Sequence, residues 1–242
     1  MFEEQQTRQR MIFIDFDGTI TRHDLVDVIL ERFADFRWVK IEEHWQKGRI
    51  GSRDCLRAQM ALVRATRVEL NALLDSIEID DGLSLLLETC VRHRIPAHIV
   101  SDGFDYCIRR IMERPQFHLG HLLRNVRLFA SHLDVDRRRW LRTDFPFFQQ
   151  VCEQGCATCK PCVMRLLNRT GAQMIFVGDG LSDRYAAQAA DLVFAKDSLA
   201  TYCWQQSIEY VPFEGLAEIA AWLEAPLVEP ATLANSAAPL TA

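Results

Sequence analysis

No apolar run in the 242-residue chain is long enough to span a bilayer, and the polar opening MFEEQQTRQR lacks the apolar segment of a secretory signal. A soluble, cytoplasmic protein is expected. A basic excess is also missing. The formal net charge is -5, which argues against nucleic acid as the main partner, because phosphate backbones demand basic surfaces. Internal repeats are absent. The seven histidines show no paired ligand spacing, and none is assigned to a metal. What the chain does have is apolar residues, 49% of the total. A sizeable core is therefore possible and general disorder is not expected. The length suits one large domain, or a domain with a smaller one inserted.

Short apolar runs read as buried strands: MIFID (11–15), PAHIVSD (96–102), VRLFAS (126–131), MIFVGD (174–179), LVFAK (192–196) and EYVPF (209–213). The first and fourth are nearly continuous, which suits strands covered on both faces of a parallel sheet. Helical patterns at 82–94, 160–171 and 182–191 alternate with them. The expected fold is a doubly wound α/β domain with a mostly parallel sheet. Residues 23–82 break the rhythm. Segments 25–36, 53–65 and 68–77 carry apolar residues at helical spacing, with a loop at 47–52. An inserted helical cap over 23–82 is expected, leaving 1–22 and 83–225 as a discontinuous core. The Ala- and Pro-rich stretch 226–242 reads as a mobile tail.

Carboxylates cluster at three strand ends. DFDGT places Asp15 and Asp17 after the first strand, VSDG places Ser101, Asp102 and Gly103 after the second, and GDGLSD places Asp179 and Asp183 after the fourth. Like charges this close repel, and carboxylates beside an apolar core are costly to desolvate. In open α/β sheets, ligands bind outside the carboxyl ends of strands, so these loops would converge. A hard cation would neutralise them, and Mg²⁺ fits a site with few protein carboxylates. Taken singly, Asp-Gly after a strand is ordinary turn chemistry. An EF-hand does not fit, because it needs glycine at position six and flanking helices.

In order and placement these motifs, with Lys160 between the second and the last, resemble the haloacid dehalogenase superfamily of phosphatases over about residues 12–213. The helical insert resembles the cap of the phosphoserine-phosphatase branch. Within that branch, DFDGTITRHD, GCATCKP and GDGLSDRYAA are most similar to the methionine-salvage hydroxy-keto-methylthiopentenyl-phosphate phosphatases and their relatives. The resemblance implies Asp15 as nucleophile, forming an aspartyl-phosphate, and Asp17 as general acid and base. It implies Mg²⁺ held by the Asp15 carboxylate, the Asp17 backbone carbonyl and Asp179, with Asp183 orienting a metal-bound water or Lys160. Ser101, Gly103, Lys160 and the helix expected from Phe104 would hold the phosphate. Asp102 departs from the Ser-Gly-Gly common in phosphoserine phosphatases, and is expected to turn away along the strand pleat.

Two features stay open at this level. Asp24 either faces the substrate, as the resemblance implies, or caps the helix starting at Leu25. Phe33, Phe36, Trp38 and Trp45 either line a leaving-group pocket or form a small helical core. Cys152, Cys156, Cys159 and Cys162 are dense enough to suggest Zn²⁺, an iron–sulfur cluster or a redox pair, Cys156 with Cys159, but reduced thiols packed around the lysine loop are the expected state. The expected activity is Mg²⁺-dependent hydrolysis of a small phosphorylated metabolite, with the methionine-salvage step as the one the resemblance points to. The rivals are a phosphoserine or phosphocholine-type phosphatase and a non-catalytic Zn²⁺-binding or redox-sensing protein.

Overall fold

The structure is a computed structural model and describes residues 9–136 and 141–225. The tail expected at 226–242 lies outside the described residues. β1 (Arg10–Ile14) is followed by four helices, α1 (Leu25–Phe33), α2 (Trp38–Gln46), α3 (Ser52–Met60) and α4 (Arg67–Leu74). The chain then alternates through α5 (Leu83–Arg92), β2 (Ala97–Phe104), α6 (Asp105–Met112), β3 (Val126–Val135) and β4 (Leu141–Asp144). The last third holds α7 (Lys160–Leu167), β5 (Gln173–Gly178), α8 (Arg184–Ala189), β6 (Leu192–Ala195), α9 (Asp197–Gln205), β7 (Val211–Pro212) and α10 (Leu216–Glu224).

The seven strands form one sheet in the order β4-β3-β2-β1-β5-β6-β7. All pairs are parallel except β3 with β4. Residues 11–14 of β1 are buried, as expected of a strand covered on both faces. One apolar cluster joins Ile12, Ile14 and Ile99 to α1, α5, α6 and α10; the other joins Phe13, Val100 and Phe176 to α7, α8 and α9. That two-sided covering is the doubly wound architecture. β1 sits between β2 and β5, so the chain leaves it in one direction and returns on the other side. The crevice at this switch point lies above the ends of these three strands.

Leu25, Ile29, Leu30, Met60 and Leu70 of the four inserted helices belong to the first cluster. The helices are thus packed continuously with the sheet layer. α2 lies outside the helical segments expected from the sequence; Trp38, Ile41 and Trp45 follow helical spacing along it, but they are only half-buried. β4 adds an antiparallel edge, and α9 and α10 were also unforeseen. β7 is shorter than the strand expected at 209–213, and Pro212 suits its edge position because it has no N–H to donate.

Candidate active site

Asp15 follows β1 and remains tied to the sheet, its N–H donating to the Val177 carbonyl at 2.9 Å. Its carboxylate is buried and accepts from the Lys160 ammonium at 2.8 Å. Lys160 opens α7, with Pro161 next, and its ammonium also reaches Asp183 at 2.5 Å. The second oxygen of Asp183 accepts from the backbone of Asp179 and Gly180, at 3.1 and 3.2 Å. Asp183 therefore holds both the lysine and the loop that carries Asp179. The Asp179 carboxylate accepts from Thr19 at 2.6 Å. The sequence reading assigns Thr19 no role, although its place in DFDGT is a signal for one.

Asp17 faces β2. It accepts from the Ser101 hydroxyl at 3.1 Å and from the Leu25 N–H at 3.2 Å. Ser101 is fully buried and in turn accepts from the Gly103 N–H at 2.8 Å. Gly103 has a steric reason to be glycine, since a Cβ there would lie 2.3 Å from the Asp17 carboxylate. Gly18 has two: its φ is +74°, and its Cβ would fall 2.3 Å from Asp179. Gly103→Ala is expected to keep the sheet but push Asp17 aside, lowering kcat by roughly 10- to 100-fold with a smaller change in KM. Steady-state kinetics beside a thermal melt check this, and unchanged kcat would sink it.

Asp102 does not simply turn away. Its carboxylate accepts from the Thr158 N–H at 2.8 Å and from the Ser52 hydroxyl, tying β2 to the lysine loop and to α3. The helix expected from Phe104 starts one residue later, because β2 runs on through Phe104. Asp24 combines both of its open roles. It caps α1, accepting from the N–H groups of Val26 and Asp27 at 2.8 and 3.1 Å, and it also lines the cavity over Asp15 and Asp17. The inserted helices supply the opposite wall, including Asp27, Glu42, Trp45, Cys55 and Gln59. Of the four aromatics left open, Trp45 lines this cavity, Phe33 and Trp38 pack against the core, and Phe36 is exposed.

The site is overcharged with carboxylates. Ligand oxygens of Asp15, Asp179 and Asp183 lie within 4.8 Å of one another. Burial, with the Asp183, Asp179 and Asp17 charges, pushes the Asp15 carboxyl up against the pull of Lys160. Burial and Asp183 push Asp179 up to about 7, and burial and Asp24 push Asp17 up to about 8. Burial disfavours the Lys160 cation, but Asp15 and Asp183 outweigh it and hold the ammonium charged. A single buried cation thus faces several carboxylates. Their hard oxygen donors fit a divalent cation such as Mg²⁺.

All eight cysteines are free thiols. Among the described residues, Asp15, Asp179 and Asp183 are the metal-ligand side chains that converge in a group of three or more; the sulfurs of Cys152, Cys156, Cys159 and Cys162 do not.

A family model described as haloacid dehalogenase-like hydrolase matches residues 12–188. A 2-hydroxy-3-keto-5-methylthiopentenyl-1-phosphate phosphatase of Bacillus velezensis is 27% identical over 231 residues, covering 90% of this chain and 95% of its own. One of the same name from an Exiguobacterium species is 27% identical over 216 residues, covering 88% and 96%. Among solved structures, a phospho-aspartyl intermediate analogue of phosphoserine phosphatase superposes with a TM-score of 0.66 at 18% identity, covering 89% of this chain and 99% of that one. A HAD family hydrolase from Salmonella enterica serovar Typhi superposes with a TM-score of 0.68 at 18% identity, covering 92% and 74%. Identities this low carry the fold alone. The family match runs from β1, which ends at the paired aspartates, through the loop of Asp179 and Asp183 into α8, and the chain belongs to the haloacid dehalogenase-like hydrolase family.

Proposed function

We propose that this protein is a phosphoric monoester hydrolase that cleaves a small phosphorylated metabolite through an aspartyl-phosphate. The observation that carries the reading is the buried Asp15–Lys160–Asp183 chain beside Asp17, at the open end of three parallel strands. Asp15 attacks phosphorus, and the phosphoryl group passes to its carboxylate. Asp17, held up to about 8, carries the proton that the leaving alkoxide needs. The resulting Asp17 carboxylate then takes a proton from the water that hydrolyses the acyl-phosphate. Asp15, Asp179, Asp183 and the Asp17 carbonyl would hold Mg²⁺, which when bound supplies positive charge against the phosphoryl oxygens. Lys160 supplies a second positive charge, fixed by two carboxylates.

Lys160→Ala is expected to lower kcat/KM by roughly 10²–10³, the range for one well-placed electrostatic donor. Lys160→Arg should rescue it incompletely, because a planar fork is not a point charge. Turnover of Lys160→Ala near wild type would refute the assignment.

For the leaving group, relatives aligned over nearly their full length favour the methionine-salvage enol phosphate. We take α1–α4 (the region 23–82) as a cap that closes over it, with Val26, Leu56 and Trp45 as apolar wall. A second reading, an amino-alcohol phosphate of the phosphoserine or phosphocholine type, is favoured by the same wall's acidity. Asp24, Asp27 and Glu42 line it, and burial with Asp24 and Glu42 pushes Asp27 up to about 7. Phosphate release from a panel containing both ester types separates them by kcat/KM. No turnover of any phosphomonoester with Mg²⁺ present would overturn both.

A further inference from the structure

The turn that opens α3 is seated on the loop before α7, backbone against backbone. Gly51 precedes the helix, and a Cβ on it would lie 2.4 Å from the Gly155 carbonyl oxygen and 2.7 Å from that of Gln154. Those are main-chain atoms, which cannot swing aside as a flexible side chain can. Gly155 faces it at φ +60°, and a Cβ there would lie 3.2 Å from the Gly51 Cα. The next two residues close the contact. Ser52 Oγ accepts from the Ala157 N–H at 2.9 Å, and the Arg53 N–H donates to the Gly155 carbonyl at 3.0 Å. Ala157 is fully buried, so its N–H depends on Ser52 for a partner. Beside this contact the Arg53 guanidinium lies 4.2 Å from the centre of the Phe148 ring, and that of Arg57 lies 5.1 Å from the Phe145 ring.

The same loop leads straight into Lys160. The Thr158 N–H donates to Asp102 on β2 at 2.8 Å, the Cys159 N–H donates to the Phe147 carbonyl at 3.0 Å, and Lys160 opens α7. Residues 155–158 are therefore held from two directions, by α3 and by β2. The Thr158 hydroxyl is buried with no hydrogen-bond partner among the described residues, so the backbone contacts carry the placement. Val163 and Met164 anchor the body of α7 in the core, which leaves its first turn to be set by the loop. That turn decides where the Lys160 ammonium sits, 2.8 Å from Asp15 and 2.5 Å from Asp183. A misplacement of about 1 Å in such a group costs up to roughly 10²-fold in rate.

We propose that Gly51 and Ser52, in the inserted helical region, are positioning residues for Lys160. Docked on 154–158, they fix the backbone from which the lysine reaches Asp15. Gly51 serves by having no side chain, and Ser52 by holding the Ala157 N–H. Gly51 is not one of the residues lining the cavity, so a change there acts through the loop rather than through a lost substrate contact. Ser52 does line the cavity, and the two roles open to it are told apart by whether its effect needs Lys160. The docking stands on its own; its effect on turnover rests on the phosphatase reading.

The test makes Gly51→Ala and Ser52→Ala in the full-length protein, each alone and combined with Lys160→Ala. Amide exchange of residues 155–160 and hydrolysis of an aryl phosphate are measured on all of them, with circular dichroism to establish folding. Each single variant should exchange roughly tenfold faster or more across 155–160. Each should lower kcat by roughly tenfold, with a smaller change in KM. On Lys160→Ala the same changes should cost less than about twofold in kcat, because the group they position is gone. Unchanged exchange over 155–160 in folded Gly51→Ala would overturn the docking. Faster exchange with kcat unchanged, or an equal loss of kcat on Lys160→Ala, would overturn the positioning role. If Gly51→Ala does not fold, the same readings on Ser52→Ala decide. If the wild type turns over no phosphomonoester, exchange still decides the docking, and the fault lies with the phosphatase reading.

Discussion

Asp15→Asn is expected to fold as wild type does and to lose turnover by roughly 10⁴-fold or more, because it removes the carboxylate proposed as nucleophile. Asn is nearly isosteric, and its amide oxygen can still accept from Lys160, which keeps Asp183 as a charged partner. The variant also relieves repulsion. Burial and the charges of Asp183, Asp179 and Asp17 all work against the Asp15 carboxylate. A neutral side chain there should leave the melting temperature near wild type or above it. What it cannot do is attack phosphorus as an anion. Acid-quenched enzyme incubated with radiolabelled substrate should hold covalent phosphate in the wild type and none in the variant. Turnover of purified Asp15→Asn close to wild type would remove Asp15 from the role, and labelled phosphate on the variant would point to another nucleophile.

The residues around Asp15 were legible for a physical reason. β1 and β5 are buried on both faces, so each reads as an unbroken apolar run, and the charged residue ending each run stands out. Parallel pairing then brings the strand ends together without further information. Asp15, Asp17, Ser101, Asp179 and Asp183 lie together as the strand-end argument expects, and Lys160, which only the family resemblance singled out, joins them from the start of α7. The facing wall was not legible. Asp27, Glu42, Cys55 and Gln59 come from three helices, and what joins them is tertiary: the Gln59 amide donates to Glu42 at 2.9 Å across 17 residues. α2, which carries Glu42 and Trp45, is only half-buried along its apolar side, and its spacing does not say what that side faces. Asp102 was misjudged because strand alternation says nothing of the loop that arrives to meet it. Its partner Thr158 lies 56 residues away, in a segment with no periodicity.

Stripping divalent ions should abolish turnover, and Mg²⁺ should restore it. The expectation comes from charge. Lys160 is the buried cation among Asp15, Asp179 and Asp183, whose oxygens crowd within 4.8 Å. With no other cation, burial first and then the Asp183 charge push Asp179 up to about 7, which favours its holding a proton. A protonated Asp15 would be a poor nucleophile, so the burial and repulsion that favour a bound cation would also idle the proposed reaction without one. Ca²⁺ should restore turnover poorly. It takes six to eight oxygens at longer distances in a looser shell, which would leave Asp15 out of line for attack. Binding has a second signature that does not depend on turnover. Mg²⁺ should raise the melting temperature of the wild type, and Asp179→Asn, lacking one charge, should shift far less. Full turnover in excess chelator would refute the metal requirement. A melting temperature indifferent to Mg²⁺ in the wild type would mean that the three carboxylates share protons rather than a cation, with Lys160 as the sole positive charge facing the phosphate.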